Sequence, residues 1–259
     1  MKNTKIISIA NQKGGVGKTT TALNLAAALK QQGKNVLLVD LDPQSNLSEY
    51  LGYQHNVTKA TISTLMSNMV NGCRMNVAHS IYHNPEGLDY LASDIQLSSA
   101  EIFLINAMSR ETVLKRILRQ DELKNYDYII IDCLPSLGIL MVNALATSDY
   151  VIVPVQAQKF ALDGISLFLN AFNMVKNNLN PQLELMGVLL TMYDNTNMSK
   201  AVLESLNQQF PDKLFNTMIS RSVEATNSTY AQKSLVSQKS SKLGNQYIQL
   251  ASECEKRGL

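Results

Sequence analysis

Residues 11–20 read Asn-Gln-Lys-Gly-Gly-Val-Gly-Lys-Thr-Thr and follow directly on a short apolar run, Ile6–Ala10. A glycine-rich turn between a strand and a helix can curl until consecutive backbone N–H groups point inward, which makes a cradle for a polyphosphate. Gly14, Gly15, Val16, Gly17, Lys18, Thr19 and Thr20 form that candidate cradle. In such a loop Lys18 would reach the β- and γ-phosphates, and the Thr19 hydroxyl would ligate Mg²⁺. The stretch departs from the general Gly-x-x-x-x-Gly-Lys-[Ser/Thr] pattern, and a second lysine, Lys13, sits at the loop's mouth. The chemistry implied is nucleotide binding with Mg²⁺.

Two acidic sites accompany the loop. Asp40 ends the apolar run Asn35–Asp40, and Asp42 follows two residues later in Asp-Leu-Asp-Pro-Gln (40–44). Both carboxylates arrive at the end of a strand. One can support the Mg²⁺ shell or the catalytic loop while the other orients or polarises an attacking water, because phosphoryl transfer asks mostly for positioning and charge neutralisation. Asp132 ends a further run, Tyr-Ile-Ile-Ile-Asp (128–132), and reads as a Walker B-type aspartate aimed at the magnesium shell. Thr19, Asp42 and Asp132 are the candidate metal residues; Lys18 and Asp42 are the candidate catalytic ones.

Composition narrows the field. The chain has 259 residues, 45% hydrophobic and 17% charged, with a net charge of +2. No apolar stretch approaches the length of a membrane span, and the first residues lead straight into a strand without a signal-peptide pattern. Cys73, Cys133 and Cys254 are scattered, which excludes an obvious zinc or iron–sulfur site and suits a reducing cytoplasm. His55, His79 and His83 read as surface or loop residues.

The elements that must position these groups alternate. Ile6–Ala10, Asn35–Asp40, Tyr128–Asp132, Tyr150–Val155 and Leu185–Thr191 are continuous apolar runs suited to a parallel sheet covered on both faces. Thr19–Gln32 reads as a helix stopped at Gly33. Ala100–Arg119 reads as one or two helices with Ile102, Ile105, Val113, Ile117 and Leu118 facing inward. Leu137–Thr147, Leu162–Asn177 and Leu243–Lys256 are further helices, while Gly52–Leu97 lacks a clear period and is expected to hold loops and short helices. The expectation is a single α/β domain over residues 1–259, a doubly wound, mainly parallel sheet of P-loop NTPase type with its ligand at the carboxyl ends of the strands.

Lys-Gly-Gly-Val-Gly-Lys-Thr (13–19), Asp-Leu-Asp-Pro-Gln (40–44) and Ile-Asp-Cys (131–133) resemble the motifs of the ParA/Soj/MinD family of deviant Walker ATPases, in particular its short ParA or Soj partition ATPases. The resemblance covers nearly the whole chain. It implies an ATP-dependent sandwich dimer in which Lys13 crosses to the partner's phosphates while Lys18 serves its own nucleotide, with Asp42 needed for hydrolysis. Val153–Gln156 resembles the fifth-strand exit, and Gly187–Asp194, with Met192, resembles the strand and loop near the base. Ile219–Val223, with Ser220, is similar to the family's second base-side loop, and Glu224-Ala225 to a pair opening a late helix. The implied activity is a slow Mg-ATPase, stimulated by a ParB-like centromere-binding adaptor, that segregates a plasmid or chromosome. The implied location is the cytoplasm, on the nucleoid.

Partition ATPases of this type bind nonspecific duplex DNA when ATP-loaded. Between Lys200 and Lys242 this chain has six basic residues against three acidic ones, and Lys200, Arg221, Lys233, Lys239 and Lys242 are candidate phosphate contacts. The sequence departs from its relatives at Asn195-Thr196-Asn197, where an arginine is usual, and within Ile219-Ser220-Arg221-Ser222-Val223, which keeps one arginine but has serine where a proline is usual. No N-terminal helix-turn-helix precedes the first strand. The segment Tyr247–Arg257 carries two glutamates and reads as a packed helix rather than a membrane anchor. An alternative is an ATP-switched scaffold that positions other cargo without DNA. A metabolic or metal-cluster relative is disfavoured by the lack of cysteine pairs.

Overall fold

Apolar runs without polar alternation can be buried on both faces of a sheet only when helices cover both faces, and the chain folds that way. The computed structural model describes residues 4–54, 59–158 and 161–259. In chain order the elements are β1 (Lys5–Ile9), α1 (Lys18–Gln31), β2 (Val36–Leu41), α2 (Asn46–Tyr50), α3 (Ile62–Val70), β3 (Ile81–His83), β4 (Asp89–Leu91), α4 (Ala100–Ile105) and α5 (Val113–Leu118). They continue with β5 (Tyr128–Cys133), α6 (Ile139–Thr147), β6 (Tyr150–Gln156), α7 (Ala161–Asn178), β7 (Glu184–Thr191), α8 (Asn197–Gln209), α9 (Glu224–Ala231) and α10 (Lys242–Lys256).

The sheet order is β3-β4-β2-β5-β1-β6-β7. Every pairing is parallel except β3 with β4. Strand period then sorts the side chains. Leu37, Val39, Ile129 and Ile131 pack into a core with α3 to α8, whereas Leu38, Ile130, Ile7 and Ile9 pack with α1, α2 and α10. Asp40 and Asp132 share the parity of Leu38 and Ile130, so both carboxylates project toward the α1 face. They are also register partners on adjacent strands.

Two expectations are corrected. Ile102 and Ile105 do not face inward; they are 72% and 61% exposed. The stretch 100–119 breaks at Ser109, which takes a left-handed φ of 53°. In the short α4 that remains, Ala100 and Leu104, four apart, are the buried pair. Val113, Ile117 and Leu118 do face inward. The stretch Gly52–Leu97 holds more than loops and short helices, since β3 and β4 form an antiparallel pair at the sheet edge. Their turn is closed by Asn84, whose side chain accepts from Leu88 N at 2.8 Å, and by Gly87 at φ 74°. His79 and His83 are exposed, and His55 lies outside the described residues. α8 and the five-residue α2 were not anticipated.

At the other edge the chain returns against β7. Val188 N donates to Lys213 O and Phe215 N to Val188 O, at 2.7 and 2.9 Å. This close approach requires Gly187, because a Cβ there would lie 2.6 Å from Lys213 O and 2.7 Å from the Phe215 ring. Gly187→Ala is therefore expected to cost about 1–3 kcal/mol by overpacking, lowering the thermal midpoint by about 2–4 °C per kcal/mol. Gly164→Ala, in α7 with nothing within 4 Å of its Cβ, should leave the midpoint unchanged or raise it. Equal midpoints for both variants would refute this account of the edge.

Candidate functional site

The turn from β1 into α1 is held in shape by bonds from three directions. Gly15 and Gly17 take left-handed φ values of 71° and 86°, which residues with a Cβ resist. The Asn11 amide donates to Pro154 O at 2.8 Å, and its carbonyl accepts from Lys13 N at 3.0 Å. The Thr191 hydroxyl donates to the buried Val16 at its carbonyl, 2.9 Å away. Lys18, only 7% exposed, turns back to donate from Nζ to Lys13 O at 3.0 Å. Burial pushes the Lys18 ammonium below its ordinary pKa, and the carboxylates of Asp132 and Asp42 pull the other way. The Lys13 side chain remains partly exposed.

Asp40 supports the turn that carries Asp42. It is fully buried, with Oδ1 accepting from Asp42 N at 3.1 Å and Oδ2 accepting from Ser48 N and Ser48 Oγ at 2.8 and 2.7 Å. Ser48 Oγ in turn accepts from Ser93 N at 2.8 Å. Burial raises the Asp40 carboxyl to about 6, against the opposing hydrogen bonds from Ser48 and Asp42. Of the roles open to it, Asp40 thus takes that of loop support, behind the cleft rather than on its wall. Asp42 does line the cleft, and its own Oδ1 accepts from Gln44 N at 2.9 Å.

Asp132 stands between these parts. It is 1% exposed, its pKa raised first by burial and then by the neighbouring Asp40, with Thr19 and Lys18 opposing. The Thr19 hydroxyl hydrogen-bonds its carboxylate, yet Oδ1 is buried with no partner. An orphaned carboxylate oxygen is costly unless a cation answers it. A hydroxyl and two carboxylates are hard oxygen donors, and Mg²⁺ takes one or two such groups beside water and phosphate oxygens. The donor set at Thr19, Asp42 and Asp132 fits Mg²⁺. Among the described residues no cluster of three or more His, Cys, Asp or Glu side chains could hold a metal by itself.

A cleft of about 640 Å³ opens on this edge. Gly14, Gly15, Gly17, Lys18, Thr19 and Thr20 of the loop, Asp42, Met192, and Thr229 and Tyr230 of α9 are among the residues that line it. Met192 takes a left-handed φ of 52°. Its loop pairs with the segment after Ile219, since Tyr193 N donates to Ile219 O and Arg221 N to Tyr193 O. Ser220 is bound to Gln246 of α10 through both its N–H and its hydroxyl. Asn46, Glu49, Tyr50, Tyr230 and Gln232 also line the cleft and were not anticipated. Asn46 and Glu49 could have been reached by extending the Asp-Pro-Gln motif along one helical face, but nothing in the sequence marks Tyr230.

Residues 4–185 match the family described as AAA domain. The chain is 46% identical to the sporulation initiation inhibitor protein Soj of Bacillus subtilis over 85% of each chain. It is 42% identical to the chromosome partitioning protein ParA of Myxococcus xanthus over 85% of this chain and 76% of that one. This chain belongs to the ParA/Soj partition family. Among solved structures it is similar to a cobyrinic acid a,c-diamide synthase of Mycobacterium smegmatis with bound ADP and magnesium. That match has a TM-score of 0.82 and 34% identity, covering 96% of this chain and 93% of that one. The seven-stranded sheet is accordingly the doubly wound P-loop NTPase fold.

In this ParA/Soj chain the five basic positions fall in two groups. Lys200 opens α8, and the Arg221 guanidinium lies 3.6 Å from Asp194, so part of its charge is answered within the protein. Lys233, Lys239 and Lys242 are exposed along the approach to α10, where Lys239 and Lys30 line a separate cavity of about 560 Å³. No helix among the described residues is long and apolar enough to cross a membrane.

The two serines at Asp40 give a test of the loop's support. Ser48→Ala removes two hydrogen bonds, one to a buried carboxylate, and should cost about 1–3 kcal/mol in urea unfolding. Ser93→Ala removes a buried hydroxyl that has no partner and should cost little or stabilise. A Ser93 variant as damaged as the Ser48 variant would show that the network is drawn wrongly.

Proposed function

We propose that this chain is a Mg-ATPase of the ParA type that works as an ATP-gated dimer in plasmid or chromosome partitioning. The observation that carries it is one sheet edge bearing the phosphate loop, the buried Lys18, Asp42, and the orphaned Oδ1 of Asp132. Support comes from relatives that are named partition proteins and from a neighbour solved with ADP and magnesium.

The backbone N–H groups of the loop and the α1 N-terminus bind the phosphates. Lys18, already desolvated, needs only to exchange Lys13 O for a phosphate oxygen. Thr19, Asp42 and Asp132 would hold Mg²⁺, which supplies charge neutralisation on the transferred phosphoryl group. Asp42, fixed by the Asp40 and Gln44 bonds, orients the attacking water. Lys13, on the exposed side of the same loop, is free to serve a second copy facing the cleft, adding positive charge and excluding water where negative charge develops. Intrinsic turnover is slow because that second copy must first assemble.

In this reading the dimer binds duplex DNA through Lys200, Arg221, Lys233, Lys239 and Lys242, and a ParB-like adaptor stimulates turnover. The protein acts in the cytoplasm on the nucleoid. The name of the diamide synthase does not displace this reading, since the identities to partition proteins are higher.

The experiment is duplex DNA binding by the Asp42→Ala protein, with ATP or ADP, across a salt series. Binding with ATP alone is expected, with affinity falling as about the 0.9 power of salt per phosphate contacted and weakening in Arg221→Ala. An ATP-dependent dimer that ignores DNA at low salt would sink the DNA arm and favour a positioning scaffold for other cargo. Lys13→Ala should still bind ATP as a monomer while losing both dimer and hydrolysis.

A further inference from the structure

Lys13 is held by its backbone while its side chain is left partly to solvent. Its N–H donates to Asn11 Oδ1 at 3.0 Å, and its carbonyl accepts from Lys18 Nζ at 3.0 Å. Asn11 is itself only 2% exposed, and its amide donates to Pro154 O at 2.8 Å. The two partners fix which end of that amide is which, since a carbonyl only accepts and a backbone N–H only donates. The bond to Pro154 extends the sheet beyond its last register pair, Ile9 with Ile152. Ala10 N donates to Ile152 O at 3.0 Å. Two residues farther along β6 the Asn11 side chain takes the place of a backbone donor. Asn11 thereby fastens Lys13 to β6.

The two holds on Lys13 respond differently to a nucleotide. Lys18 must let go of Lys13 O to reach a phosphate, whereas nothing in that exchange touches Asn11. After Lys13 the chain runs through Gly14 and Gly15, the latter at φ 71°, and glycines transmit little orientation back along the chain. The Asn11 bond is then the hold that persists. A lysine side chain is long and rich in rotamers, so an unanchored backbone would multiply the positions its ammonium can take. Resting on the assignment of Lys13 to a second copy, we propose that Asn11 is the positioning residue that aims Lys13 across the dimer.

Sedimentation of the full chain with MgAMPPNP, a non-hydrolysable ATP analogue, reads the dimer, and calorimetry on dilute protein reads binding by the monomer. Asn11→Ala should weaken the dimer about tenfold, one anchoring hydrogen bond being lost in each of two copies, and leave monomer binding unchanged. Asn11→Ser keeps an oxygen that can accept from the N–H two residues on but is too short to span to Pro154 O. Both variants should therefore lower the thermal midpoint alike, while Asn11→Ser recovers part of the dimer. Thr191→Val, which frees Val16 O elsewhere in the loop, supplies the contrast and should weaken ligand binding itself. An unchanged dimer in Asn11→Ala would overturn the proposal. So would a loss of MgAMPPNP affinity like that of Thr191→Val, which would make Asn11 part of the phosphate cradle. An Asn11→Ser dimer no stronger than that of Asn11→Ala would overturn it too. Hydrogen exchange on the unaltered protein, dilute enough to stay monomeric, needs no substitution. The Lys13 amide should stay protected when MgAMPPNP binds, and its release would refute the anchor. Lys13→Ala separates the two readings. If it still forms the ligand-dependent dimer, the trans-acting lysine fails first and this proposal with it; if it does not, a normal Asn11→Ala dimer refutes this proposal alone.

Discussion

The structure turns on two carboxylates that its strand register places side by side. Asp40 on β2 and Asp132 on β5 are direct partners in a parallel ladder, both facing α1 and both removed from water. Two like charges at low dielectric repel strongly; both are displaced upward in pKa, first by burial, with Asp40 a further cause for Asp132 and Asp42 a further cause for Asp40. The fold resolves the two differently. Asp40 is answered by N–H and O–H donors from the protein, so its charge becomes a fastening for the Asp42 turn. Asp132 has Thr19 and the nearby Lys18, and one oxygen with no partner. The contrast assigns structural work to the first aspartate and leaves the second with one buried oxygen that the described residues do not answer.

The same division appears in the phosphate loop. Asn11, Thr191 and Lys18 each hold a backbone group of the turn, and the partners come from β6, β7 and the turn itself. Neighbouring strands of the sheet therefore fix the loop before the chemistry of any ligand is considered. Such preorganisation matters because a site that must reorganise its dipoles during phosphoryl transfer loses much of its electrostatic advantage. Lys18 needs no ordering and little further desolvation, while Lys13 keeps a partly exposed side chain. The two lysines of the motif thus differ in environment before any second copy is present.

Much of this was legible in the residues and some was not, for identifiable reasons. β1, β2, β5, β6 and β7 announce themselves because parallel strands covered on both faces read as near-continuous apolar runs, and each observed boundary lies within a residue of its run. The edge pair β3 and β4 is three residues per strand, too short for any period to register, although Asn-Pro-Glu-Gly at 84–87 is a turn signal that could have been weighted more heavily. The error at Ile102 and Ile105 came from carrying one helical period across Ser109, where the chain changes direction. Motif spacing gave the phosphate end of the cleft. Glu224-Ala225 marked where α9 opens, but not that Thr229 and Tyr230 line the cleft, because which residues line a cleft is set by how distant segments pack.

That packing ties the nucleotide edge to the basic surface. Leu235 N donates to Asn24 Oδ1 at 2.7 Å, and Asn24 sits one turn beyond Thr20 in α1, donating to Thr20 O at 2.8 Å. Tyr50 and Glu49 of α2 hold Ser228, Gln232 and Lys233. The segment 228–235 therefore hangs from the two helices that begin at the phosphate loop and just after the Asp42 turn. Lys233 lies within it, and Lys239 follows shortly after. A movement of α2 with the Asp42 turn cannot leave Lys233 in place without breaking buried or part-buried hydrogen bonds, each worth about 1 kcal/mol net. Packed elements with satisfied polar bonds shift together rather than deform, so the Asp42 turn and the segment that carries Lys233 form one mechanical unit.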